Sequence, residues 1–112
     1  MLSFQRLDVY QCAVRLLAHA ARISDELPRG YASLADQLRR AAVSVPLNIA
    51  EASGRSSVTD KARFYGIARG SAMECGAILD AVGVIGGSSP EHLAEASRLV
   101  VRIAEMLTKL CR

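Results

Sequence analysis

A chain of 112 residues with a net charge of +3, 51% hydrophobic and only 4% aromatic, is long enough for one core and marginal for a second. Its first twenty residues interleave Arg6, Asp8 and Arg15 with apolar ones, and no apolar run approaches the ~20 residues of a membrane span. A secretory leader and a spanning helix are therefore not expected, and three cysteines at 12, 75 and 111 fit free thiols in a reducing cytoplasm better than a disulfide framework.

The first expected helix covers about residues 5–27. Asp8, Gln11, Arg15, Arg22 and Glu26 fall on one solvent stripe of a 3.6-residue period. Two apolar flanks border it: Leu7, Tyr10, Val14, Leu17 and Ala21 on one side, Val9, Ala13, Leu16, Ala20, Ile23 and Leu27 on the other. So narrow a polar strip implies deep packing or a second partner. Pro28 and Gly30 then end the helix. Ser33 and Asp36 have capping-box spacing, which puts the start of the second helix near Leu34. Its apolar face is Leu34, Leu38, Ala41, Ala42, Val45, Ile49 and Ala52. Pro46 removes an amide donor inside that face, so a bend near Ala42–Val45 is expected, with the helix resuming in phase beyond it.

Gly54, Ser56 and Ser57 mark the next turn. The third helix is expected from about Asp60 to Val84, with Phe64, Ile67, Ala68, Ser71, Cys75, Ile78, Val82 and Ile85 facing inward. Gly66, Gly70 and Gly76 weaken its propensity, which is explained if another helix or side chain approaches closely there. Ser89 and Pro90 are an N-cap and first-turn pair for the fourth helix. Its inner face is Leu93, Ala96, Leu99, Val100, Ile103, Met106, Leu107 and Leu110. Short connections between such helices predict an all-α, antiparallel up-and-down four-helix bundle as a single domain over residues 1–112, with helix two bent near Pro46.

Chemistry is sparse. No zinc-protease pair or Walker motif is present, and the glycine-rich Gly83–Ser89 stretch has neither a following lysine nor a preceding strand. His19 and His92, with three scattered cysteines, make no metal-ligand spacing. No general base accompanies any serine. No enzyme activity, metal or cofactor is expected.

Two groups of polar residues remain. Gln37, Arg40, Ser44, Asn48, Glu51 and Arg55 recur every three or four positions along helix two, and Ser71 and Glu74 can meet them from helix three. They read as a polar network that sets helix register, with Arg40 or Arg55 pairing Glu51 or Glu74 and Asn48 satisfying backbone groups freed by Pro46. Arg39, Arg40, Arg55, Lys61, Arg63 and Arg69 read instead as a basic surface around the helix two–three turn. Residues 1–72 hold ten basic and six acidic side chains (+4), and residues 73–112 hold four and five (−1). That balance allows weak attraction to a phosphate backbone.

The stretch QLRRAAVSVPLNIAEASGR (37–55), followed by RFYGIARGSAMEC (63–75), resembles the signature of the four-helix bundle proteins encoded by intervening sequences of bacterial 23S ribosomal RNA genes, also called S23 ribosomal proteins. The resemblance runs over nearly the whole chain. It places the family's polar positions on Gln37, Arg40, Ser44, Asn48 and Glu51, its glycine-arginine turn on Gly54 and Arg55, and its helix-three pattern on Gly70, Ser71 and Glu74. Ala52 and Ser53 follow Glu51 where the family commonly has glycine. The resemblance implies a non-catalytic symmetric pentamer. Through a related branch, the accessory proteins of diversity-generating retroelements, it implies binding to RNA or DNA and to a protein partner such as a reverse transcriptase. Five copies would carry about +15. A scaffold that binds only protein is the alternative expectation.

Overall fold

A computed structural model describes residues 1–112. It contains a short 3₁₀ turn, Ser3–Arg6, and four α-helices: α1 Asp8–Glu26, α2 Ala32–Ser53, α3 Val58–Ile85 and α4 Pro90–Leu110. The connections are residues 27–31, 54–57 and 86–89. Four residues reach at most ~14 Å, whereas α3 alone is about 42 Å long, so each helix must return along its predecessor. α1 packs on α2 and α4, α3 packs on the same two, and the diagonal pairs do not meet. The result is an antiparallel four-helix bundle, 45 × 25 × 23 Å.

A core of 24 buried residues joins all four helices, and it is made of alanine, leucine, isoleucine, valine and cysteine with the single aromatic Tyr65. α1 buries Val9, Ala13, Leu16, Ala20 and Ile23, which is one of its two apolar flanks. The other flank is only partly covered: Leu7, Tyr10 and Leu17 are half-buried, and Val14 and Ala21 are exposed. Leu7 adopts an extended conformation, so α1 begins at Asp8 rather than at residue 5. Residues 3–6 form their own turn, from which Phe4 packs edge-on against Tyr10 at 5.0 Å.

α2 begins two residues before the position expected from sequence. Its N-cap is Tyr31, without a side-chain hydrogen bond. Asp36 is instead engaged by Arg39 at 3.5 Å, so the Ser33–Asp36 capping box does not form. The helix runs uninterrupted through Pro46, whose ring is buried with Val45 and Ile49. Burial of that apolar face offsets a helix-interior proline that in isolation costs about 3 kcal/mol.

α3 starts earlier than expected, capped by Ser57, whose hydroxyl accepts from the Asp60 amide at 3.0 Å. It ends at Gly86, held at φ +69°, where a residue with a side chain would be strained. Its buried face is Tyr65, Ala68, Ala72, Cys75, Ile78, Leu79 and Val82. The face is rotated from the expected one: Ile67 is 42% exposed, and Phe64 and Ser71 lie at the edge. Apolar residues occur all round this helix, so periodicity alone does not select its inner side.

Of Gly66, Gly70 and Gly76, the last alone meets a neighbouring helix; a Cβ at a fourth helical glycine, Gly83, would lie in ordinary contact range of Leu93 on α4, at 3.7 Å. A Cβ at Gly76 would lie 3.3 Å from Val100 Cγ1, whereas Gly66 and Gly70 have open space around them. Close approach within the chain therefore explains Gly76 and not Gly66 or Gly70. Gly66→Ala should raise stability by about 1 kcal/mol, read as a thermal midpoint about 4 °C higher. An unchanged or lower midpoint would mean that something outside the protomer packs on that position. α4 is capped as its sequence indicates, with the Ser89 hydroxyl accepting from the His92 amide at 3.2 Å and Pro90 in the first turn.

Candidate functional site

The polar stripe divides into a bonded knot and a set of free side chains. Ser44 Oγ and Ser71 Oγ lie 2.8 Å apart and tie α2 to α3. Asn48 Nδ2 donates to the Ser44 carbonyl at 2.8 Å and to Ser44 Oγ at 3.0 Å. The carbonyl deprived of its partner by Pro46 is that of Ala42, one turn earlier, so Asn48 serves a different group from the one expected. Glu51 pairs with Arg55 at 3.0 Å. Gln37, Arg40 and Glu74 are exposed and make no hydrogen bond or ion pair within the chain.

Beside the knot, Arg39, Arg40, Val43, Ser44, Leu47 and Asn48 line an open groove of about 460 Å³ along the outer face of α2. Leu47 is 63% exposed there, and Val43 is 39% exposed. Across the α2–α3 seam the same outward face carries Ile67 and Gly70. It is an apolar strip set between charges, and nothing in the protomer covers it.

The six arginines and lysines of the expected basic surface do not form one patch. Arg55, Lys61 and Arg63 gather at the α2–α3 turn. Both guanidiniums sit on Phe64, with Arg55 Cζ 4.5 Å and Arg63 Cζ 4.2 Å from the ring centroid. Asp60 reaches both, at 3.5 Å from Arg55 and 3.2 Å from Arg63. Arg55 Nε is buried without a partner, while its two terminal nitrogens hold Asp60 and Glu51. Lys61 Nζ donates to the Ser53 carbonyl at 3.4 Å.

Arg39 lies about 24 Å away along the helix axis, toward the other end, bonded to Asp25 at 3.0 Å. Arg40 is free beside it. Arg69 turns toward α4, donating to Thr108 Oγ1 at 2.8 Å.

Antiparallel packing nevertheless concentrates charge at the turn. The pairings Ser44–Ser71, Gly76–Val100 and Arg69–Thr108, with Leu7 and Val9 lining one hollow with Met106 and Leu110, put residues 1–9, 44–72 and 104–112 in the half of the bundle nearest it. That half holds seven basic side chains (Arg6, Arg55, Lys61, Arg63, Arg69, Lys109, Arg112) against four acidic ones (Asp8, Glu51, Asp60, Glu105). Seven minus four is +3, the net charge of the whole chain, so the remaining residues are together neutral.

The family model for 23S rRNA-intervening sequence proteins matches residues 5–109. The chain belongs to this family. No curated protein matches it closely enough to lend it an activity. As a 23S rRNA-intervening sequence protein it is a small, non-catalytic helical bundle. No group of three or more His, Cys, Asp or Glu side chains is placed to hold a metal ion, and no helix is long and apolar enough to cross a membrane. Burial, reinforced by Glu74, pushes the Cys75 thiol up to about 12, so it stays protonated and unreactive at neutral pH.

Two features of this family member escape a reading of the sequence. Phe64 has helical spacing with the core, yet it lies at the edge and carries two guanidiniums. Its neighbour Arg63, and Arg55 at the preceding turn, are the signal that placed it there. Arg6, Lys109 and Arg112 join the basic end only because the first and last helices meet, as Leu7 and Asp8 do with Met106 and Lys109.

Proposed function

We propose that this protein is a cytoplasmic, single-domain, homo-oligomeric accessory factor that binds RNA or DNA weakly through the end of the bundle carrying Arg55, Lys61, Arg63 and Phe64. The observation that supports this reading is the confinement of the whole net charge to that end. Arg55 and Arg63 are held over Phe64, an arrangement that presents guanidinium donors to phosphate oxygens or to an unstacked base. Asp60 and Glu51 lower the local charge, so one copy binds feebly. An assembly that aligns several such ends raises affinity by multivalency, without new contacts. The uncovered strip of Val43, Leu47 and Ile67 is the assembly face in this reading, with a pentamer the assembly that the family resemblance implies.

Fluorescence anisotropy with mixed-sequence RNA and DNA tests the binding. If three phosphates are engaged, affinity should fall about forty-fold between 50 and 200 mM salt. The triple variant Arg55→Ala, Lys61→Ala, Arg63→Ala should weaken binding alike for many sequences, while Arg98→Ala in the neutral half should not. Equal binding by wild type and triple variant would remove these residues from the interface.

A second reading, a scaffold that binds protein alone, is favoured by the ion pairs that already engage Arg39, Arg55 and Arg63. Nuclease-insensitive recovery of one stoichiometric protein, a reverse transcriptase among the candidates, would select it.

A further inference from the structure

We propose that the contact between His19 and His92 is a proton-operated latch on the α1–α4 seam, closed when the pair is neutral or carries one added proton and opened by a second. These are the only two histidines of the chain, 73 residues apart in sequence, and the fold brings His92 Nε2 to 2.9 Å from His19 Nδ1. The rings are tilted by 59°, with centroids 4.9 Å apart. His92 is 13% exposed, and its other nitrogen, Nδ1, faces Glu26 Oε1 at 3.6 Å. The seam they close is the one between the first and last helices, which no loop joins.

The proton count follows from the geometry. In the neutral pair one facing nitrogen donates and the other accepts. Glu26 favours a proton on His92 Nδ1, which leaves His92 Nε2 as the acceptor and His19 Nδ1–H as the donor. One added proton goes onto His92 Nε2 and reverses the bond: His92 then donates to His19 Nδ1, with the positive charge facing Glu26. The His19 Nδ1 proton relocates to its Nε2 through solvent, and the contact survives as a charge-assisted bond. A second added proton gives both facing nitrogens an N–H. No acceptor remains across 2.9 Å, and two cations face each other.

The surrounding charges oppose that second step. Arg15 and Arg22 on α1 act against a charge on His19. On α4 only Glu95 favours it, and Glu95 is itself bonded to Arg98 and lies 3.9 Å from Arg15. Burial, followed by the His92 neighbour, lowers the His19 pKa below 6.5. The unfolded chain therefore takes up the proton first. Stability attributable to the latch is complete above about pH 6.5 and is lost as pH falls from there through the folded-state pKa of His19.

The latch is independent of nucleic-acid binding, and its test uses the full chain without nucleic acid. NMR titration of the two imidazoles between pH 8.5 and 4.5 should show two steps separated by more than about one pH unit. The lower step should coincide with faster amide exchange, corrected for its intrinsic pH dependence, in α1 and α4 ahead of α2 and α3. Independent titration of both rings near the ordinary histidine value would overturn the proposal, as would exchange that accelerates evenly in all four helices. His19→Gln and His92→Gln each remove the second charge while keeping a hydrogen-bonding side chain. Their thermal midpoints should fall less than that of the wild type between pH 7 and pH 5, and an equal fall overturns the latch.

Discussion

Ile49→Ala should cost about 2–5 kcal/mol, a large fraction of the roughly 5–15 kcal/mol that holds a domain folded. Ile49 is fully buried in the C-terminal part of α2, one turn beyond Pro46. Removing its branched side chain deletes apolar surface and leaves a void that cannot easily collapse. The surrounding core is rich in alanine, which has no rotamers with which to fill a gap. The loss also removes packing that offsets the proline. In urea the midpoint should drop with the slope unchanged, measured at fixed protein concentration because assembly would add to apparent stability. A cost below about 1 kcal/mol would mean that α2 is not held by a packed core at this level.

Leu47→Lys should leave the protomer folded and abolish its assembly. The side chain is 63% exposed, so the substitution removes little that the protomer buries, and a lysine at 47 stands one helical turn before Glu51. At the centre of an assembled apolar face the same charge would have to be desolvated in every copy, without a designed partner. Light scattering should then return a mass near 12.0 kDa for the variant and a multiple of it for the wild type. Val84→Lys is the control: Val84 is 88% exposed, apolar and outside the α2–α3 face, so its replacement should leave the mass unchanged. A wild type that is itself a monomer, or a Leu47→Lys protein of undiminished mass, would reject this face as the contact.

The four helices were legible because their signals are local. Ser89–Pro90 opens α4, Gly54, Ser56 and Ser57 mark the turn before α3, and α4 keeps one apolar stripe from Leu93 to Leu107 that the bundle buries almost as written. The misreadings arose where a local signal competes with a tertiary one. Ser33 and Asp36 have the spacing of a cap, but Asp36 gains a guanidinium from Arg39 and the helix starts at Ala32 instead. α3 is apolar on too many sides for its period to tell Ala72 and Leu79, which are buried, from Ile67, which is not. At the candidate site, the 3.6-residue spacing located the Ser44–Asn48 pair, since four residues apart is a helical neighbour. It could not separate Arg39 from Arg55, because a stripe along one helix face says nothing about which end of the molecule each member serves. The histidine pair was invisible for a related reason: its spacing of 73 residues acquires meaning only once α4 is known to close against α1.

Residues 1 and 112 leave the bundle at the end where Arg55 and Arg63 lie on Phe64. An affinity tag or fluorophore joined at either position is therefore delivered onto the basic end and crowds the arginines there. Labels placed at the 27–31 or 86–89 loops stand at the far end, roughly 40 Å away, and leave that surface bare. The same topology makes the termini good tethers: a domain fused at either one would be held against the basic end of the bundle.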